Sequence, residues 1–111
     1  MIGQLVADFF AGAFLANAVP HFVAGTMGRS FQTPFANPPG RGLSSPTVNV
    51  LWGFFNFVVG VLLAWRVSAV SLDAPVDAIT CGAGALALGL FLARRFGAIY
   101  SPVEPKPEEP R

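Results

Sequence analysis

The sequence has little charge. Only 12% of its 111 residues are Asp, Glu, Lys or Arg, whereas 53% are hydrophobic. Soluble domains carry about 25% charged residues, so this chain has roughly half of what a water-facing surface uses. Seven basic and six acidic residues give a net charge of +1, which supplies no basic field for nucleic acid. The composition therefore argues against a water-soluble monomer and a nucleic-acid partner, and favours a lipid bilayer as the solvent.

The chain also contains few residues of the types that form catalytic or metal-binding sites. A single cysteine, Cys81, rules out an internal disulfide, and one histidine, His21, is too little for a structural zinc site. The sequence contains no HExxH or CxxC motif, no Ser-His-Asp set and no phosphate-binding P-loop. We therefore expect no enzymatic activity, no catalytic residues, no metal and no cofactor.

Three apolar segments predict three transmembrane helices, of which the second is the best defined. No charged residue occurs from Gly42 to Trp65, and a membrane helix needs roughly 20 apolar residues. Ser45 is suited to cap the helix N-terminus, and Pro46 fits the first helical position, where a missing N–H has no cost. The second helix is therefore predicted over 46–67.

The third segment needs its flanking charges to complete a span. Its uncharged run, residues 78–93, is short for a membrane helix. If Asp77 and Arg94 extend outward to the two interfaces, a helix over 74–96 is long enough to cross. Gly97 then fits the position that follows a helix C-terminus.

The first segment is the least regular. Residues 2–19 predict a helix, and a longer helix that passes Pro20 with a kink and continues towards Gly28 is the second option. A secretory signal peptide is the competing interpretation, because residues 16–18 resemble a cleavage site. Such peptides begin with positive charge, whereas this segment carries Asp8 and has no Lys or Arg before residue 29. We therefore favour a retained helix.

These segments predict an all-α fold, a membrane-embedded bundle of three helices. Residues 1–100 form a single transmembrane domain in this interpretation. The proline-rich loop 29–45 cannot be a regular helix, yet it keeps large apolar side chains, which favours an ordered irregular loop. Residues 101–111 are rich in proline and glutamate and predict a disordered tail.

The arginines indicate how the chain is threaded. Three spans place the first loop and the C-terminus on one side, and the N-terminus and the second loop on the other. The first side carries four arginines near the membrane and the second carries one: Arg29, Arg41, Arg94 and Arg95 against Arg66. The positive-inside rule therefore predicts a cytoplasmic first loop and tail and an outer N-terminus. Beyond setting topology, Arg29 and Arg41 are candidates to hold an anion such as a lipid phosphate.

Small residues recur at helical spacing on the second and third helices. They advance by 4, 3, 4 and 4 residues in both: Asn49, Gly53, Asn56, Gly60 and Ala64 on one helix, and Ala78, Gly82, Ala85, Gly89 and Ala93 on the other. In lipid, helices associate through close backbone approach and hydrogen bonds. The shared spacing predicts that these two faces pack against each other.

Five polar side chains are predicted inside the membrane. They are Asp8, Asn17, His21, Asn49 and Asn56. One interpretation is structural, in which the side chains join helices by hydrogen bonds. The other is a polar path for transport, which would need an oligomer because three helices enclose no aqueous pore.

One stretch resembles a known group of proteins. It covers Asn17 to Asn56 and contains, in order, His21-Phe22, Thr33-Pro34-Phe35, Pro38-Pro39-Gly40 and Leu43-Ser44-Ser45-Pro46. This succession is similar to that of small, uncharacterised bacterial integral membrane proteins. The resemblance implies no activity and no functional residue, but it favours an ordered first loop and a bacterial inner membrane.

Together these observations predict a small integral membrane protein with a structural or interaction role. It would bind a partner protein, lipid or copies of itself through its small-residue and asparagine faces, as a homo-oligomer or as a subunit of a membrane complex. The alternative is an oligomeric transport or channel component with a polar path inside the membrane.

Overall fold

The computed structural model describes residues 1–70 and 73–100, and these residues form three long helices and one short strand pair. The elements are α1 (Ile2–Thr26), β1 (Phe31–Gln32), β2 (Leu43–Ser44), α2 (Pro46–Leu62, continued by a π-helical segment Leu63–Val67) and α3 (Pro75–Tyr100). Each helix is long and apolar enough to cross a membrane. The tail predicted over 101–111 lies outside the described residues.

The start of α2 is as predicted. The Ser45 side-chain oxygen accepts a hydrogen bond of 3.2 Å from the backbone N–H of Val48, and Pro46 occupies the first turn. The cap satisfies one of the N–H groups that a helix N-terminus leaves without an internal partner. The span that follows ends at Val67, also as predicted.

Two helix ends differ from the shorter predictions. α1 continues through Pro20 to Thr26, so the longer option for the first segment is the one observed. α3 continues through Gly97 to Tyr100, so the prediction that Gly97 ends the helix is wrong. The extra turn is held by contacts with the first loop, because the Tyr100 hydroxyl donates a 2.8 Å hydrogen bond to Gln32 Oε1. A tertiary contact thus outweighs the low helix propensity of glycine.

The first loop contains a short antiparallel sheet, which the all-α prediction missed. Phe31 pairs with Ser44, and Gln32 pairs with Leu43. Immediately after β1, the Thr33 hydroxyl hydrogen-bonds the Ser44 hydroxyl across the pair. Two residues per strand are too few to produce the alternating pattern by which strands are recognised in a sequence.

α1 is the central helix. It packs against both α2 and α3, and no comparable packing joins α2 to α3 in the described part of the chain. Phe22 of α1 lies beside Gly53, and Leu15 beside Gly60, so α1 and α2 are antiparallel. Gly12 lies beside Cys81, while the end of α3 reaches the loop that follows α1, so α1 and α3 are parallel.

This arrangement gives the bundle two ends. The loop end contains the C-termini of α1 and α3, the N-terminus of α2 and the first loop. The far end contains the N-termini of α1 and α3 and the π-helical end of α2. Consecutive spans therefore alternate in direction, as the predicted threading requires.

Candidate functional site

The small-residue faces of α2 and α3 do not pack against each other as predicted. A Cβ atom on Gly53 would lie 2.6 Å from the Phe22 backbone nitrogen, and one on Gly60 would lie 2.8 Å from the Leu15 side chain, so this face of α2 packs on α1. On α3, no atom of another described element comes within 4 Å of a Cβ built on Gly82 or Gly89. The spacing identified a close-packing face correctly on α2, but assigned it the wrong partner.

The contact between α1 and α3 uses two glycines that the spacing did not single out. A Cβ on Gly12 would overlap the carbonyl oxygen of Cys81, and a Cβ on Gly84 would overlap that of Phe9. Ala85 completes this contact, because its backbone nitrogen lies 3.0 Å from the Cβ position of Gly12. Gly12 lies one helical turn after Asp8 and therefore on the same helix face. This shared face was the sequence signal by which Gly12 could have been identified as a packing residue.

Asn49 and His21 join α1, α2 and the first loop at the loop end. The Asn49 amide nitrogen donates hydrogen bonds of 3.1 Å towards the carbonyl oxygens of Phe31, Ser44 and Ser45. Its oxygen lies 3.0 Å from Nδ1 of His21. Because that amide oxygen is an acceptor only, the hydrogen on this side belongs to the histidine ring. Asn49 is fully buried and His21 is 3% exposed, so the junction is closed to solvent.

A second polar link lies deeper between α1 and α2. The Asn17 amide nitrogen donates a 2.9 Å hydrogen bond to Oδ1 of Asn56. The Asn56 amide nitrogen donates in turn to the carbonyl oxygen of Trp52 at 2.8 Å. Four of the five polar candidates thus form two pairs, and both pairs join α1 to α2.

The first loop is inserted between the helices at this end. Gln32 and Thr33 are 3% and 1% exposed, although both are polar and lie outside the helices. The Phe31 ring contacts His21 on α1 and Phe96 on α3, with ring centroids 5.4 and 4.7 Å apart. The loop therefore bridges α1 to α3 and is a structural element of the bundle.

A small cavity remains beneath the loop. It is lined by Asn17, His21, Gln32, Thr33, Pro34, Gly40, Trp52, Phe91, Leu92, Arg95 and Phe96. Its volume is about 200 Å³, which is below the roughly 300–1,000 Å³ of typical ligand pockets. Asp8, Asn49 and Asn56 are not part of its lining, so the predicted polar residues do not share one continuous space here.

Asp8 is separate from the other polar candidates. It is fully buried near the far end of α1, and neither carboxyl oxygen has a hydrogen-bond partner within residues 1–70 and 73–100. The indole nitrogen of Trp52 is the other buried polar side-chain atom without a partner in that part of the chain. Burying a polar group without a hydrogen-bond partner is costly, so the buried Asp8 carboxyl group disfavours folding.

The predicted headgroup arginines fall into three places. Arg41, Arg94 and Arg95 line one groove at the loop end. Arg29 lies at the same end but lines a different cavity. Arg66 is at the far end, where its guanidinium lies 5.5 Å from the centre of the Trp65 ring.

Neither a metal site nor a known relative assigns a function. Among the described residues, no three His, Cys, Asp or Glu side chains are grouped closely enough to hold a metal ion. No protein family, curated protein or solved structure matches the chain.

Proposed function

We propose that this chain is a small integral membrane protein with an interaction role, and that it associates with a second copy of itself through α3. The membrane setting is supported by the three long apolar helices. Four of the five polar candidates inside the bundle, all except Asp8, join helices to each other or to the loop. That use favours a structural and interaction role over the alternative of a transport component, which needs a continuous polar path.

The free face of α3 is the observation that carries this proposal. In the most apolar stretch of 18 residues in each helix, the share that is buried inside the chain is 6% for α3, 28% for α1 and 22% for α2. The exposed side of α3 includes Ala78, Gly82, Gly89 and Ala93. We call these four residues the α3 small face.

Glycines elsewhere in the helices show what such a face does in this molecule. At five of them an added Cβ atom would lie within 3 Å of a neighbouring helix: Gly12, Gly25, Gly53, Gly60 and Gly84. Gly82 and Gly89 lie in the same kind of stripe, with open space before them. In lipid, small residues favour association because they let helix backbones approach, whereas bulky apolar contact gives no preference over lipid tails.

A second copy is the partner that this face fits. The α3 small face contains no charge, so two copies can meet across a two-fold axis without repulsion. Such a pairing is self-complementary, because each copy contributes the same residues. Packing α3 against α3 would also cover the helix that the chain itself covers least.

Dimerisation in lipid vesicles tests the proposal. The wild type and the variants Gly82→Leu and Gly89→Leu are reconstituted at low density and counted by single-molecule photobleaching. We expect the wild type to dimerise and each leucine to weaken the dimer about tenfold or more, because it separates the two backbones. The matched control is Ala87→Leu, which lies about 140° around the same helix and is also exposed. A monomeric wild type, or an equal loss in the control, overturns the proposal.

We also infer that the loop end faces the cytoplasm of a bacterial inner membrane and that the N-terminus faces outward. The four arginines of the loop end support this orientation. Single cysteines at the exposed positions Gly3 and Ser30, in a Cys81→Ser background, test it. An impermeant thiol reagent added to intact spheroplasts should label position 3 and leave position 30 unlabelled. The reverse pattern contradicts the orientation.

A further inference from the structure

Three arginines converge on one groove at the loop end. Arg94 and Arg95 come from the last turns of α3, and Arg41 comes from the first loop. The groove has a volume of about 690 Å³, and its remaining wall is formed by Phe91, Ala98 and Ile99. It therefore combines three cations with an apolar surface on a helix that crosses the membrane.

The positive charge of this groove is not balanced by the described part of the chain. All three arginines are exposed, and none forms an ion pair within residues 1–70 and 73–100. Asp73 and Asp77 belong to the far end, and Asp8 is buried inside the bundle. The groove is thus a local cationic site in a protein whose net charge is only +1.

The loop sets the position of one of these guanidinium groups. Nη2 of Arg95 donates a 3.1 Å hydrogen bond to the carbonyl oxygen of Gly40. Gly40 has a φ of +73°, a left-handed backbone conformation that favours glycine at the residue that accepts this bond. The bond uses one of the five N–H donors of the guanidinium, and the others remain available to a ligand.

We propose that this groove binds an anionic phospholipid. The guanidinium groups of Arg41, Arg94 and Arg95 would hold the headgroup phosphate, because the planar donor fork of arginine matches phosphate geometry. The first acyl carbons would lie along Phe91, whose side chain is 59% exposed. A free phosphate ion would leave this apolar wall unused, which is why lipid is the better occupant. This site is independent of the α3 small face.

The general preference for arginine on the cytoplasmic side is the competing explanation. Arg29 separates the two, because it has the same charge and lies at the same end, but lines a different cavity with Pro20 and Met27. A diffuse electrostatic attraction treats Arg29 and Arg94 alike. A built site depends on Arg94 and Arg41 and is indifferent to Arg29.

Lipid binding to the full-length protein tests this proposal. The protein is purified in a neutral detergent, titrated with phosphatidylglycerol or phosphatidylcholine, and bound lipid is counted by native mass spectrometry. We expect phosphatidylglycerol to bind about tenfold more tightly, and Arg94→Gln and Arg41→Gln each to reduce its affinity about fivefold or more. Arg29→Gln, which removes the same charge, should change it less than about twofold. The acidic residues of the tail are kept in every variant, so their effect is the same throughout.

Two further measurements keep the test decisive. Arg94→Lys retains the charge but loses the donor fork, so it should bind phosphatidylglycerol with intermediate affinity. Circular dichroism identifies any variant that has lost its helices. If Arg94→Gln is one of them, Arg94→Lys replaces it in the comparison with Arg29→Gln. Equal losses in Arg29→Gln and Arg94→Gln overturn the proposal in favour of a diffuse field. Competition by millimolar inorganic phosphate overturns it in favour of a free-anion site.

Discussion

The two ends of the bundle differ in how far polar side chains join their helices. At the loop end, asparagine and histidine side chains join α1 to α2, and the inserted loop joins both to α3. At the far end, α1 and α3 meet through Gly12 and Gly84, and the one buried carboxyl group, Asp8, has no partner in the described chain. Both kinds of contact can stabilise helix association in lipid, because neither depends on a hydrophobic effect between helices.

The difference shows what each end tolerates. The loop end shares close packing at glycine, at Gly25 and Gly53, but depends in addition on the identity of polar atoms. Removing the Asn49 amide there leaves several carbonyl oxygens without a donor. The contact between α1 and α3 depends on the small size of its glycines, since a methyl group added to Gly12 or Gly84 would overlap the backbone of the facing helix. Four sets of substitutions separate these two kinds of dependence. Each variant is measured by its free energy of unfolding in mild detergent, titrated with a denaturing detergent, at protein dilutions where the chain is monomeric.

The largest effect is expected from added volume at the far end. Gly84→Leu places a side chain where the carbonyl oxygen of Phe9 lies, so α3 must move away from α1. We expect a loss of about 3 kcal/mol or more. Gly82→Leu is the control, because it makes the same change on the same helix with nothing within 4 Å. Similar losses in both variants would show that α3 does not pack as described.

The next effect is expected from the loss of polar atoms at the loop end. Asn49→Leu removes the donor to the carbonyl oxygens of the loop and of the α2 N-terminus, and also removes the partner of His21. We expect a loss of about 2–3 kcal/mol, because the orphaned groups stay buried. Asn56→Leu, which removes one cross-helix bond, should lose about 1 kcal/mol. Equal losses would mean that the loop bonds of Asn49 contribute nothing.

A gain in stability is expected from removing the unpartnered carboxyl group. Asp8→Ala eliminates a buried polar group that has no hydrogen bond in the described chain and leaves a small void. We expect a net gain of about 1 kcal/mol, because the relieved desolvation exceeds the cost of the void. Asp8→Asn keeps a buried polar group of the same shape, so it should gain less than alanine. A clear loss in Asp8→Ala would reveal a partner for the carboxyl group.

The smallest effect is expected where the loop meets the end of α3. Tyr100→Phe removes the hydroxyl that donates to Gln32 but keeps the ring, which is stacked on Phe31 with centroids 6.1 Å apart. We expect a loss of about 0.5–1 kcal/mol. In a Gln32→Leu background the same change should lose less, because the acceptor is already absent. Equal losses in both backgrounds would show that the two side chains do not interact.

Local signals predicted the helices well. The Ser45-Pro46 pair identified the start of α2, because capping is decided by neighbouring residues in the chain. Gly97 led to a wrong prediction of where α3 ends, because a local signal was opposed by a distant contact. Its low helix propensity is a local property, whereas the contact that extends α3 comes from Gln32, 68 residues away from Tyr100.

Partners across space could not be predicted in the same way. The spacing of Gly53 and Gly60 shows that one side of α2 is small, but it does not say which helix lies against it. The same limit applied to Asn17 and His21, which were recognised as polar without their partners. Because α1 is central and has buried sides towards both neighbours, its polar residues lie on several faces and give no single stripe.

The central place of α1 has a consequence for how the protein is made. α1 has the lowest mean hydropathy of the three spans, 1.5 against 1.8 for the other two, and it leaves the ribosome first. At that moment Asn49 and Asn56 have not yet emerged from the ribosome, so the Asn17 amide and the His21 imidazole of α1 lack the partners they have in the folded protein. We therefore expect that release from a translocon is most favourable after the second span has arrived, so that the two helices enter a bilayer together.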